Sequence, residues 1–298
     1  MKILCIGHAA YDITFPLDNF PIENTKNRVN GKIECGGGPA SNAAYLLSKW
    51  GMDVTFLGIV GKDLYGERIT KEMKQIGIET KYIEQSEKHQ TTCSIIMANT
   101  SNGSRTILTY RPDRVTMKPV KINFTPDIIL VDGQEIELSK SMIEKYSDAI
   151  SIIDAGRSTE EIIDLCHIVD YVVCSKEFAE NVSQKKFDYQ NKYTLVEIYQ
   201  TLENMFQTNI IITLESQGCL YRDEKIKVMP SIEVKAIDST GAGDIFHGAF
   251  TYGIAKQWPI EKIVRIANLA GGISVTRIGS RNSMPTIEEM KQIDYEFE

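Results

Sequence analysis

Cysteine is sparse in this chain: six in 298 residues, at positions 5, 35, 93, 166, 174 and 219, with no CxxC spacing. Together with four scattered histidines they form no zinc-ligand pattern, and the thiols read as buried and reduced. No stretch of about 18 apolar residues occurs, and the apolar start at 1–7 is too short for a signal-peptide core. The reading is therefore a cytoplasmic protein. Basic runs are missing too, and 33 basic against 40 acidic residues leave a formal charge of −7, which argues against a nucleic-acid partner. There is no repeat, low-complexity tract or proline-rich linker to divide the chain. GxxxxGK[ST], GxGxxG after a strand, GxSxG and HExxH are all absent, removing support from P-loop, Rossmann, serine-hydrolase and zincin readings.

What is present is the composition of a globular chain, 42% apolar and 24% charged. Short apolar runs at 3–7, 54–60, 127–131, 151–154, 171–174, 209–214 and 232–237 read as strands, most of them separated by segments of helical period. That alternation predicts α/β architecture around a largely parallel sheet. Ala43, Leu46, Leu47 and Trp50 fall on one helical face over 40–50, ended by Gly51. Ile69, Met73 and Ile76 repeat the spacing before Gly77. Residues 12–35, and the pair 93–98 and 105–110 joined by the turn-rich 99–104, break the rhythm. They are expected to form a small second sheet, acting as a lid or as the interface of a homodimer.

The densest glycine signal in the C-terminal half is Asp238-Ser239-Thr240-Gly241-Ala242-Gly243-Asp244, before a helical pattern reaching Lys256. Bare amides at Gly241, Ala242 and Gly243, on the positive end of a helix, form a candidate anion hole. Asp244 stands within a turn of it, where a base must be to take a proton from an attacking hydroxyl. An isolated GxGD would read as a tight turn; seven specified small and acidic residues are more than a turn requires. The second cluster, Gly36-Gly37-Gly38-Pro39-Ala40-Ser41-Asn42, lets backbone approach a ligand, and the Asn42 amide suits sugar hydroxyls. It reads equally well as a plain helix entry. Asp12 suits a vicinal diol, and taken alone is a turn aspartate.

These two clusters, in this order, resemble the signatures of the ribokinase-like, or phosphofructokinase-B, family of carbohydrate kinases. Gly61-Lys62-Asp63-Leu64-Tyr65-Gly66 is similar to its GxDxxG segment, and the resemblance spans nearly the whole chain. It implies a three-layer α/β/α sandwich with a small β lid over 12–35 and 93–110, all within one unit of 1–298. It also implies ATP and Mg²⁺ as co-substrates and transfer of the γ-phosphoryl group to a primary hydroxyl of a sugar. By the resemblance Asp244 is the base, Gly241, Ala242 and Gly243 the anion hole, and Asp12, Gly37, Gly38 and Asn42 the sugar site. Thr213, Glu215, Gly218 and Asn268 take nucleotide contacts, and Glu177 joins the metal–phosphate network. Asp238, Thr240, Ser274, Gly279 and Ser283 occupy the places of a monovalent-cation loop, with K⁺ as the candidate ion.

Departures from the pattern narrow the substrate. The NxxE motif appears as Cys174-Ser175-Lys176-Glu177, keeping only the acid. Ala10 stands where ribokinases proper place an Asn before the sugar-binding Asp, which counts against ribose. The Gly-Gly-Gly-Pro-Ala stretch, Phe246-His247-Gly248 and 276–281 are similar to a branch that includes sulfofructose kinase. Arg111, Arg157 and Arg281 are candidates for reading an anionic substituent, because guanidinium grips an oxyanion through two parallel donors. Two alternatives stay open. One is a nucleoside kinase using Phe15, Phe20 and Tyr110 as a base slot, and the other is a catalytically silent sugar or nucleotide sensor.

Overall fold

The computed structural model describes residues 1–112 and 115–297. In chain order its elements are β1 (Lys2–Ile6), β2 (Ala10–Leu17), β3 (Ile33–Gly37), α1 (Pro39–Lys49), β4 (Asp53–Leu57), β5 (Ile59–Gly61), α2 (Leu64–Ile76), β6 (Glu84–Ser86), β7 (Thr92–Asn99) and β8 (Arg105–Tyr110). They continue as β9 (Ile128–Val131), α3 (Ile136–Lys145), β10 (Ile150–Ala155), α4 (Glu160–Cys166), β11 (Tyr171–Ser175), α5 (Lys176–Ser183), α6 (Lys192–Phe206) and β12 (Asn209–Thr213). After a single 3-10 turn, Glu215–Gln217, come β13 (Cys219–Asp223), β14 (Lys225–Met229), α7 (Ala242–Ala255), α8 (Ile260–Ser274) and α9 (Ile287–Ile293).

Eight strands form the central sheet in the order β14-β13-β12-β11-β10-β9-β1-β4. From β4 to β12 every pairing is parallel, and β13 and β14 close one edge as an antiparallel hairpin. Parallel strands need covering on both faces, which is why their sequences run apolar without alternating with polar residues. Successive side chains therefore feed two cores: Ile3, Cys5, Ile128 and Leu130 pack with α1, α2, α7, α8 and α9. Leu4, Ile6, Ile129 and Val131 pack with α3 to α6. Three layers result, helices on either side of one sheet, as the alternation of strand and helix predicts. Among the described residues no helix is long and apolar enough to cross a membrane.

A separate four-stranded sheet, β3-β2-β7-β8, stands over the carboxyl end of the large one. Its pairing is mixed. β2–β3 and β7–β8 are antiparallel, whereas β2 and β7 run parallel. The hairpin tip at 99–104 is pinned by the Asn99 side chain, whose Oδ1 accepts from Ser101 N at 3.0 Å and Ser101 Oγ at 2.6 Å.

Two strand expectations need correcting. Residues 54–60 are not one strand: at Gly58 the chain passes so close to Gly7 that a Cβ would lie 2.5 Å from its carbonyl. Beyond that point β5 leaves the central sheet to pair with β6. Residues 232–237 form no strand. Ile232 packs onto Gly272 of α8, and the Ile237 and Asp238 amides donate to the Val275 carbonyl at 2.8 and 3.2 Å, so helix α8 takes the place of a partner strand.

Candidate functional site

Gly241 adopts φ +76°, a conformation costly for any residue with a Cβ, and thereby turns the chain from Asp238 into α7. A Cβ there would also press on Ser280 at 2.8 Å. Among the described residues no protein acceptor takes the amides of Gly241, Gly243 or Asp244, and Ala242 N makes only a long 3.4 Å bond to Ser239 O. Nothing lies within 4 Å of where a Gly243 Cβ would be. The first turn of α7 thus presents open amides, the arrangement that favours an anion.

Asp244 sits in that turn, with Oδ2 accepting from Asn42 Nδ2 at 2.7 Å. Burial raises its carboxyl above the usual aspartate range, opposed by the Asn42 bond and by the charges of His247 and Arg105. A raised aspartate is a better proton acceptor than an exposed one.

The glycine cluster before α1 supplies the facing wall. Asp12 is 6% exposed and lies against Gly37 so closely that a Cβ would collide with its carboxylate. Burial, and then the nearby Asp244 charge, push Asp12 up to about 7, while Arg281 pulls the other way. Gly38, at φ +96°, leads into α1, whose Asn42 is held by the opposite end of its amide: Arg281 Nε donates to Oδ1 at 3.3 Å. Arg281 is 3% exposed and already engaged. One terminal nitrogen donates to Ser41 Oγ at 2.5 Å, the other stands 2.9 Å from Glu72, and the guanidinium caps the Tyr45 ring at 4.7 Å. Its place is therefore in orienting Asn42, and it does not face a free substituent pocket.

The expected nucleotide residues fall along one path. Thr213 ends β12, with its hydroxyl donating to Cys174 O at 3.2 Å. Glu215 opens the 3-10 turn at φ +55°, a strained value for a non-glycine residue. Gly218, at φ +92°, passes against the Met229 carbonyl, to which Asn268 Nδ2 also donates at 3.1 Å. Glu177 is exposed in the first turn of α5, and the missing Asn at Cys174 is a fully buried thiol in the core. The cation-loop residues are partly assembled. Asp238 accepts from Thr240 through Oδ1, at 2.9 Å to N and 2.6 Å to Oγ1, and from Gly279 N through Oδ2 at 2.8 Å. Ser283 N reaches Gly279 O, whereas the Ser274 hydroxyl is turned back onto Gly271 O.

Three groups at this site escaped the sequence reading. Arg105, on β8, donates to Ser239 Oγ at 2.5 Å, while Ser239 N and Oγ both donate to the Gly103 carbonyl. The hairpin tip is thus fastened to the loop before α7. His247 lies one turn after Gly243, with Nδ1 2.6 Å from the Gly243 carbonyl and 3.3 Å from Asp154 Oδ2, and Nε2 3.0 Å from Val173 O. Burial raises Asp154 to about 7 against the pull of His247. Asp132 directly follows β9, and its Oδ2 accepts from His8 N and Ala40 N at 2.8 and 3.1 Å. Both aspartates close strands at the carboxyl edge, the end of a parallel sheet where ligands bind, and that position was the available signal.

With that geometry in place, comparison with known proteins decides the family. The pfkB family carbohydrate kinase profile matches residues 1–287. The chain belongs to the pfkB family of carbohydrate kinases. It is 26% identical over 308 aligned positions to the ribokinase of Bacillus subtilis, covering 98% of this chain and 99% of that one. It is 24% identical to the nucleoside kinase of Methanocaldococcus jannaschii, with coverage of 97% and 95%. The structure of Arabidopsis thaliana ribokinase complexed with ribose and ATP superimposes with a TM-score of 0.80 at 19% identity, covering 98% and 97% of the two chains. As a pfkB enzyme it is an ATP-dependent kinase on a ribokinase fold.

Proposed function

We propose that this pfkB enzyme transfers the γ-phosphoryl group of ATP to a primary hydroxyl of a monosaccharide or sugar derivative, with Asp244 as the base. The observation that carries the reading is a carboxylate raised by burial and aimed by Asn42, beside amides that no protein group occupies. Asp12, Gly37, Gly38 and Asn42 hold the sugar. Asp244 orients the hydroxyl. As the new O–P bond forms, the bond to the β-phosphate oxygen breaks, its electron pair leaves with ADP, and Asp244 receives the proton. Charge developing on the transferred group falls on the Gly241–Gly243 amides and on Arg105, which reaches the site from the small sheet.

Thr213, Glu215, Gly218 and Asn268 line the nucleotide path. No group of three or more His, Cys, Asp or Glu able to hold a metal occurs among the described residues, which fits Mg²⁺ carried by phosphates and water with one or two carboxylates. Glu177 is the nearest counterpart of the family's acid for that ion, whose charge offsets that of the phosphates. K⁺ is assigned to the loop of Asp238, Thr240, Ser274, Gly279 and Ser283, where oxygen atoms dominate; dependence of turnover on KCl over NaCl tests it.

The small sheet is proposed to work as a lid within one catalytic unit, excluding water from the transfer. Its cross-strand row Ile13, Ile95 and Leu108 is apolar, with Ile95 41% and Leu108 57% exposed. A second copy of the chain covering that row makes a homodimer, which sedimentation reads directly. All six cysteines are unpaired, in keeping with a cytoplasmic location.

The deciding experiment is ADP release over neutral sugars, substituted sugars and nucleosides. Turnover with nucleosides alone would replace the sugar reading with that of a nucleoside kinase. ATP binding without turnover on any acceptor would make the protein a sensor.

A further inference from the structure

His247 is 4% exposed, one turn into α7, and its ring bridges that helix and the carboxyl edge of the central sheet. Nδ1 stands 2.6 Å from the Gly243 carbonyl oxygen and 3.3 Å from Asp154 Oδ2, and Nε2 stands 3.0 Å from the Val173 carbonyl oxygen. Asp154 and Val173 are partners on one rung of the β10–β11 ladder. The sheet thus presents an acid and a carbonyl to the two nitrogens of one imidazole.

These partners fix the proton count. A carbonyl oxygen only accepts, so each ring nitrogen needs its own hydrogen to face one. Either neutral tautomer would aim a bare lone pair at a carbonyl, that of Gly243 in one case and that of Val173 in the other. The doubly protonated ring satisfies both. Its charge has a counterion, since His247 is the one ion-pair partner of Asp154 among the described residues. Burial holds the Asp154 carboxyl up at about 7, and His247 pulls it toward the ionised form. As a stabilising device such a buried pair is weak, because desolvation offsets most of the attraction and two packed apolar side chains would serve as well.

The Gly243 carbonyl belongs to the same peptide unit as the Asp244 amide. A charged donor on the oxygen draws electron density through that unit and strengthens the N–H at its other end. That N–H is one of the amides that no protein group takes among the described residues. Around the pair stand Asp244 on α7, Asp132 just past β9 and the fully buried Cys174 thiol on β11, with Arg105 acting on Asp244 from β8. The His247 charge favours the ionised form of Asp244 against the effect of burial.

We propose that His247 is a positioning residue of the transfer, an imidazolium paired with Asp154 that polarises the Gly243–Asp244 peptide and so strengthens the anion hole through which the phosphoryl group passes. The inference rests on the kinase reading above and assigns the charge that stands behind its amides.

Two neutral replacements separate polarisation from a mere strap between helix and sheet. Asparagine carries its amide nitrogen about where Nδ1 stands, and glutamine about where Nε2 stands. His247→Asn therefore keeps a donor for Gly243, and His247→Gln keeps one for Val173. The full-length proteins are assayed for ADP release with ATP, MgCl₂ and the fastest acceptor among ribose, fructose, fructose 6-phosphate and adenosine. His247→Gln should lose ~5- to 50-fold in kcat, less than the roughly 10²- to 10³-fold that removal of an oxyanion donor costs, with both KM values within about 3-fold. His247→Asn should recover part of that loss, although it gives up the tie to Val173 and melts at a lower temperature. In both, the acid limb of the kcat–pH profile should move to higher pH, because Asp244 loses a positive neighbour. Unchanged kcat, or kcat that follows the melting temperatures, reduces His247 to a strap and overturns the proposal with the kinase intact.

A second measurement reads the charge without any acceptor. In ¹⁵N NMR of the unliganded protein labelled at histidine, the His247 signals are those missing from His247→Gln. Two protonated ring nitrogens at neutral pH are expected, and one bare nitrogen overturns the proposal. Turnover by the wild type on no acceptor at all removes the kinase reading and the role in transfer with it, while the NMR result still decides the ion pair.

Discussion

Asn42 and Asp244 are 202 positions apart in the chain, yet Nδ2 of the first lies 2.7 Å from Oδ2 of the second. The amide is polarised from behind, because its oxygen accepts from Arg281. A donor fixed in this way sets the orientation of the Asp244 carboxylate before any ligand arrives.

Asp244→Asn keeps the shape and removes the acceptor. Turnover should fall by roughly 10²- to 10⁴-fold, while ATP affinity measured by calorimetry stays within about 3-fold. A mutant retaining a tenth of the activity would take Asp244 out of the role of base.

Arg281→Met should cost stability, because it leaves Glu72 with only the Gly36 amide at 2.8 Å and frees the Asn42 amide to rotate. Breaking a buried pair costs ~3–5 kcal/mol; the Glu72 side chain is 26% exposed, which places this one at the low end. Glu72→Gln added to Arg281→Met should restore part of the melting temperature. The acceptor KM, which depends on Asn42, should stay raised in the double mutant.

At Gly37 a methyl group has no room beside the Asp12 carboxylate. Gly37→Ala should raise the acceptor KM by about 10-fold or more, the loss of one good hydrogen-bonded contact, with nucleotide affinity unchanged. A parallel loss of ATP binding would mean that the turn serves the whole cleft.

The pH dependence of the unliganded protein follows from the same carboxyl. Asp12 titrates at about 7 in the fold against an ordinary 3.8, so between those values the folded chain holds a proton that the unfolded chain has lost. Stability contributed by the protonated group therefore declines as pH rises from about 4 to about 7, and Asp154 acts in the same sense. Asp12→Asn should escape its share of this. Its melting temperature relative to wild type should climb by ~5–10 °C between pH 5 and pH 8, while turnover collapses. A constant difference across that range would place the Asp12 titration elsewhere.

On the proposed function Arg105→Met should lower kcat more than KM, since the side chain, bonded to Ser239 from the hairpin, is assigned to the transferred charge rather than to the sugar. A loss of 10- to 100-fold in kcat, roughly 1.4–2.7 kcal/mol of transition-state stabilisation, is expected. An equal fall in ATP affinity would make it a ground-state contact instead.

What could be read in the chain beforehand was what is local. The strands read at 127–131, 151–154, 171–174 and 209–214, the helix ended by Gly77, and the turn at Gly241 are each written in a few adjacent residues. Side chains from distant segments were illegible: nothing near Arg105 names Ser239, and nothing near His247 names Asp154. Residues 232–237 failed for a related reason. They have strand-like residues, but whether a strand forms depends on a neighbouring edge, and here α8 occupies the space. The parallel pairing of β2 with β7 is likewise a choice made by the folded whole.

The knot between Gly103, Arg105 and Ser239 has a consequence for timing. A hairpin tied to the segment that enters α7 cannot swing out without tugging that segment, so on the proposed function release of the phosphorylated acceptor and relaxation around the spent nucleotide should be coupled. Ser239→Ala removes the two side-chain bonds and leaves only the Ser239 amide on the Gly103 carbonyl, so it should weaken the coupling, read as a change in the sensitivity of turnover to solvent viscosity.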